Sequence, residues 1–187
     1  MGQYFKAIIL EKNNTAELIR TWVDPRSYNM GGTLMEHSYK GNKFVASLEY
    51  LISPLGMFYM SPVVWAGDYA NREDDSSPNL NLLAEEEPFC KRMSNLPYTN
   101  MFEYRYIVNH SKKQYVDKNY EFDNSNNFHP LPLLTAEGNG RGSGDYKGFD
   151  IELVGTWARD ILSVELDIPY GFTELVCKFS KKLTKYA

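Results

Sequence analysis

Between Leu34 and Ile52 the apolar residues recur at helical spacing, and this is the one long helix that the pattern of the chain supports. Positions 34, 37, 41, 44/45, 48 and 51/52 share a face that holds Leu34, His37, Gly41, Phe44, Val45, Leu48, Leu51 and Ile52. Thr33 and Glu36 stand where a capping box needs them, so the helix is expected to start there with His37 and Gly41 facing inward. If Gly41 breaks it, Asn42 is placed to cap a second helix. Such a stripe must be buried against something, and what the rest of the chain offers is strands.

Gln3 to Leu10 is rich in β-formers and ends in the polar run Glu11 to Asn14, with Thr21-Trp22-Val23 as its partner. Pro62 to Gly67 reads as a short buried strand running into Asp68 and Tyr69. Glu103–Asn109 and Gln114–Asp117 flank the four-residue loop His110 to Lys113, an antiparallel hairpin. Leu162, Val164 and Leu166, then Leu175, Cys177 and Phe179, alternate with their neighbours on either side of the turn Pro169-Tyr170-Gly171 and predict a second hairpin. The expected fold is therefore α+β: a mainly antiparallel sheet with one principal packed helix at about 34–52 and long loops, in a single domain over 1–187. Residues 71–100 and 118–128 look like variable excursions, the first with a short helix around Leu80 to Glu87.

Length and composition narrow the class of function. A chain of 187 residues buries enough surface for a core without staples. Twenty Lys plus Arg against 24 Asp plus Glu leave a net charge of −4, which disfavours general coating of nucleic acid. No apolar run is long enough to span a membrane, and the start of the chain lacks a signal-peptide pattern, so no membrane association and a cytoplasmic location are expected. Cys90 and Cys177 have no CxxC spacing, which argues against a zinc ribbon or a disulfide framework.

The segment from His129 to Tyr146 is the most informative. An expected apolar strand, His129 to Thr135, runs into a loop with glycine at 138, 140, 142 and 144 and Arg141 at its centre. Glycines let consecutive N–H groups converge on an anion and arginine adds paired donors, so the loop could cradle a phosphate. It is neither GxxxxGK[ST] nor GxGxxG, and the same composition suits a surface loop without a ligand. Glu137 and Asp145 could instead pair with Arg141 and shape the loop. Gly140, Arg141 and Gly142 are the candidate anion contacts, with Trp65, Asp68 and Tyr69 as candidate base or ribose partners.

Three histidines are few enough to weigh singly. His37 on the apolar stripe reads as a core histidine, His110 as a solvent-exposed turn residue, and His129 as either a structural turn or a group that reaches the glycine loop. No HExxH or similar spacing supports a metal, no cofactor signature is present, and no GxSxG elbow or deaminase motif occurs. Neither cysteine adjoins an activating base. The candidate catalytic groups are therefore His129 with Glu137 or Asp145 as acid and base.

Taken in order, Met1-Gly2-Gln3-Tyr4, Leu34 to Asn42, Trp65 to Ala70 and His129 to Tyr146 resemble a family of small hypothetical proteins encoded by bacteriophages and prophages. The resemblance spans most of the chain outside the two excursions and implies a viral origin and an accessory role toward the host. The leading expectation is a phage accessory protein that binds a small phosphorylated or nucleotide-like ligand and sequesters a host immune signal. The alternatives are a nucleotide-processing hydrolase and a module that inhibits a host defence protein by contact, using the acidic excursion 71–100.

Overall fold

The structure is a computed structural model that describes residues 2–12, 17–86, 90–98, 103–118 and 128–180. Among the described residues nine strands form one sheet: β1 (Phe5–Lys12), β2 (Glu17–Val23), β3 (Ser61–Gly67), β4 (Lys91–Met93), β5 (Tyr106–Asn109), β6 (Gln114–Asp117), β7 (Ala136–Glu137), β8 (Asp160–Glu165) and β9 (Thr173–Glu174). Their order is β4-β2-β1-β3-β8-β5-β6-β9, with β7 also on β3. The five pairings that carry the centre are antiparallel, and only the short β4, β7 and β9 join in parallel. This is the α+β architecture with a mainly antiparallel sheet that the sequence predicts.

Helices cover both faces. On one, α1 (Leu34–His37), α2 (Lys43–Ile52) and α4 (Pro130–Leu134) enclose Phe5, Ala7, Ile9, Val63, Trp65 and Leu162 with Phe44, Leu48 and Trp157. On the other, α3 (Leu80–Glu86) packs Leu80 and Ala84 on Ile8, Leu10, Trp22, Val64 and Ala66. Covering both faces explains why Phe5 to Leu10 and Pro62 to Gly67 are buried without alternation. It also makes part of the 71–100 excursion core: α3 is a structural layer, and β4 adds an edge strand there.

Several expectations are corrected. The principal helix is two, because the chain leaves helical geometry after His37; Gly41 sits at φ 78°, exposed, and Asn42 Oδ1 accepts from Phe44 N to open α2. Residues 130–134 form a helix instead of a strand: His129 caps it through Leu131 N, and Pro130 at the first position supplies a ready helical φ. The hairpin around Pro169 to Gly171 does not form. Leu166 lies outside β8 and is exposed, β9 is only Thr173–Glu174, and it pairs with β6 rather than β8. Of the predicted 118–128 excursion, residues 119–127 lie outside the described residues.

Candidate functional site

Gln3 is the centre around which the distinctive motifs assemble. Just ahead of β1, it is completely buried, and its side chain lies between Gly67 at the end of β3 and the glycine loop. Its Oε1 accepts from Asn139 N at 3.2 Å, and its Nε2 donates to both Asp145 oxygens at 3.3 and 3.2 Å. Neighbouring backbone joins the same unit: Gly2 bridges Ser143, Tyr4 bridges Thr33, Met35 N donates to Gly144 O, and Tyr4 N donates to Asp68 Oδ1. The four segments that carry the sequence resemblance are thus one spatial cluster.

The glycine loop is closed from within. Asp145 Oδ2 accepts from Gly142 N at 2.9 Å, and Asn139 Oδ1 accepts from Arg141 N at 2.9 Å. A carboxylate of the chain itself therefore sits on the amide that an external anion would use. Gly142 is buried and has to be glycine, since a Cβ there would meet Gln3 Cβ at 2.4 Å and Gln3 N at 2.7 Å, whereas a Cβ on Gly140 meets nothing within 4 Å and only its φ of 67° calls for glycine.

Two cavities flank the loop and share Gly138. The larger, about 410 Å³, is lined by Gln3, Phe5, Leu34, Ala136, Ile151 and Val154 together with Gly140, Asp145, Tyr146 and Lys147. Half-burial raises the Asp145 carboxyl above its ordinary pKa, against the lowering pull of Gly142 N, Gln3 and Lys147. The second cavity, about 340 Å³, is polar and lined by Asn71, Arg72, Glu73, Glu137, Gly138 and Arg159. Arg159 is engaged there: its guanidinium forks onto Glu137 (2.5 and 2.7 Å) and Glu73 (2.6 and 2.8 Å) and reaches Glu17 at 3.1 Å. Burial would lower its pKa, but these carboxylates outweigh that and raise it. Arg72, Lys147 and the exposed Arg141, by contrast, enter no ion pair among the described residues.

The other predicted groups are placed as follows. Trp65 is fully buried and donates from Nε1 to His37 Nε2 at 2.9 Å, so its ring is core and has no face for a ligand. His37 contacts Gly31 O through Nδ1 and is a satisfied core histidine; burial lowers its pKa to about 4. Asp68 lines a different cavity with Lys6, Asp24 and Arg26, and Tyr69 is partly exposed beside it in sequence. His110 is half-buried rather than open to solvent, with Nε2 2.8 Å from Ser163 Oγ, which donates to Glu165 at 2.6 Å. His129 is buried: Nδ1 accepts from Leu131 N and Nε2 contacts Glu49 Oε1 at 3.2 Å. Glu137 is committed to Arg159, and Asp145 to Gln3 and Gly142, so His129 is not brought together with either carboxylate. Cys177 is largely buried, which raises its thiol to about 12.

Sequence reasoning found the loop and Arg141 but missed Gln3, Arg72, Lys147 and Arg159. A glutamine directly before an apolar strand was the available signal for Gln3; the others carry none. Among the described residues no group of three or more His, Cys, Asp or Glu could hold a metal ion, and no helix is long and apolar enough to cross a membrane. Comparisons with protein-family models, curated proteins and solved structures return no match.

Proposed function

We propose that this chain binds a small phosphorylated, nucleotide-like ligand in the cavity beside the glycine loop and holds it without turnover. The observation that carries this reading is an apolar cavity of about 410 Å³ beside the loop, with Lys147 in its wall and Arg141 exposed on the loop, neither in an ion pair among the described residues; Arg72 lines the neighbouring polar cavity. Ligand cavities are typically of this size, apolar with a few convergent polar groups. Because Asp145 and Asn139 already occupy the amides of Gly142 and Arg141, the side chain of Arg141 and not the loop backbone supplies the main anion contact. A binding role is preferred to hydrolysis because no histidine faces a carboxylate at this cavity. In the setting of the phage proteins that the sequence resembles, the ligand is a host immune signal and the role is its sequestration.

Mass spectrometry of small molecules released by heating protein purified from cells tests this directly. A phosphorylated compound at near-stoichiometric yield is expected, with the yield falling at least tenfold in Arg141→Ala. A folded Arg141→Ala protein that retains the compound in full would remove Arg141 from the site.

A different observation favours contact with a host protein as the second reading. Leu55, Met57, Tyr59 and Met60 before β3, and Leu166 and Tyr170 after β8, are exposed, while the 71–100 excursion is partly committed to the core. Capture of one stoichiometric host protein, lost on Met57→Glu but retained in Arg141→Ala, would support it.

A further inference from the structure

We infer that the sheet face between β8 and β9 docks a basic segment of a partner protein, with an arginine of that segment lying on the Tyr115 ring against Glu174. This is independent of the cavity beside the glycine loop; it rests on the reading of contact with a host protein and names that partner's chemistry. The face follows from the register. Ile107, Val116, Leu162 and Val164 point into the cluster that α2 and α4 close, so their neighbours along the strands point the other way. On that side Tyr106 stands between Glu165 and Asp117, Val108 between Ser163 and Tyr115, and Glu174 next to Tyr115. The cluster beneath α3 includes no residue of β5, β6 or β8, so this half of the sheet lies beyond the cover that α3 gives. Val108 and Ser163 form a buried floor, Tyr106 and Tyr115 are partly exposed, and Glu174 is exposed.

One rung of this face already holds a guanidinium. Arg105 lies over the Tyr106 ring with Cζ 5.3 Å from its centre, and its Nε and Nη2 donate at 3.0 and 2.7 Å to Oδ2 of Asp117, the residue directly opposite Tyr106. The next rung repeats the pair without a cation: Tyr115 is opposite Glu174, which enters no ion pair among the described residues. Glu165, on the other side of Tyr106, has no ion pair there either; it accepts from Ser163 Oγ at 2.6 Å and bonds the Tyr59 hydroxyl. Three carboxylates thus face one guanidinium, an excess that repels a phosphate and attracts a cationic side chain. Arginine suits the vacant rung better than lysine, because its planar cation stacks on a tyrosine while its N–H groups reach a carboxylate. Tyr59 also joins this face to the exposed Leu55, Met57 and Met60, which offer apolar contact around the charged rung.

The test is titration of the full chain with fluorescently labelled octa-arginine and octa-lysine peptides at about 150 mM salt, where diffuse attraction is screened. Octa-arginine is expected to bind about fivefold more tightly than octa-lysine. Glu174→Gln should weaken octa-arginine by about fivefold, whereas Asp75→Asn, the same charge change on an exposed residue of the loop before α3, should weaken it by less than about twofold. Tyr115→Leu should remove the preference for arginine. The wild-type preference and Glu174→Gln decide the matter even if Tyr115→Leu fails to fold. Equal affinity for the two peptides, or equal losses in Glu174→Gln and Asp75→Asn, would show attraction to net charge alone and overturn the docking rung. If a host protein is then still captured in a manner that Met57→Glu abolishes, the reading of contact stands without this rung; if none is captured, both fall.

Discussion

At the scale of single residues, the organising side chain is Gln3. Its amide uses one end for the Asn139 amide and the other for Asp145, and so turns a flexible glycine-rich sequence into a fixed shape. The glycines are then of two kinds. Gly142→Ala places a methyl group against Gln3 backbone, which cannot move without shifting β1, and should cost about 2–3 kcal/mol by chemical denaturation. Gly140→Ala meets only the left-handed backbone penalty of about 1 kcal/mol. Equal costs would show that the close packing on Gln3 is absent. His37 makes a second residue-level prediction. Below pH 6.5 the unfolded chain takes up a proton that the buried folded imidazole refuses until about pH 4. This contribution, about 3 kcal/mol, is whole above pH 6.5 and is lost as pH falls toward 4. His129, also lowered by burial, acts in the same direction. Unfolding free energy measured from pH 7 to 4 should therefore decline, and less steeply in His37→Gln. An identical slope in the variant would remove His37 as a source.

At the scale of elements, α2, β6 and α4 are tied by ionisable groups in a place that water does not reach. Lys118 Nζ, one residue past β6, donates to Glu49 Oε1 at 2.6 Å, and His129 at the start of α4 reaches the same oxygen. Burial would raise the Glu49 carboxyl, but Lys118 and His129 outweigh it and hold the group ionised. Lys118→Met takes away the principal counter-charge and should cost about 3–5 kcal/mol. Adding Glu49→Leu should recover much of that, and a double variant as unstable as the single would show that the pair is not coupled. This tie was invisible in the sequence because its members are 69 and 80 residues apart. What was legible is what local pattern encodes: β1, β2, β3 and the β5–β6 hairpin were found from β-rich runs and turn residues. The break at Gly41 was open either way, since the apolar spacing continues through it and only the backbone turns aside. Leu131 to Leu134 is too short to display a period, and it was misread as a strand despite the helix-starting sense of Pro130. Strands of two or three residues, such as β7 and β9, have no pattern to read and exist only because a neighbour offers hydrogen bonds.

At the scale of the whole molecule, the sheet is a partition between two apolar clusters, and the candidate site lies at the end of its central strands, where Gln3 leads into β1 and Gly67 ends β3. The loop and Arg141 were legible because glycine spacing is conspicuous; their filling by Asp145 and Gln3 depends on a separation of 142 residues. Net charge was a poor guide for the same reason: a chain at −4 still places Arg72 and Lys147 in the walls of the two cavities and leaves Arg141 exposed on the loop they flank. The anion affinity expected of that place is local and should weaken with added salt far less than a phosphate-backbone binder would, because it involves two or three cations instead of a basic face. Calorimetry of mononucleotide binding between 50 and 200 mM salt should show a change of well under a hundredfold; a larger one would indicate a diffuse charged surface. The strand order carries a last consequence, for synthesis. β8 stands between β3 and β5, although nearly a hundred residues separate β3 from β8 along the chain. A ribosome delivering this protein in sequence order holds two unfinished half-sheets, the β5 edge bare and the β3 edge covered only in part by β7, until Asp160–Glu165 emerges and stitches them together.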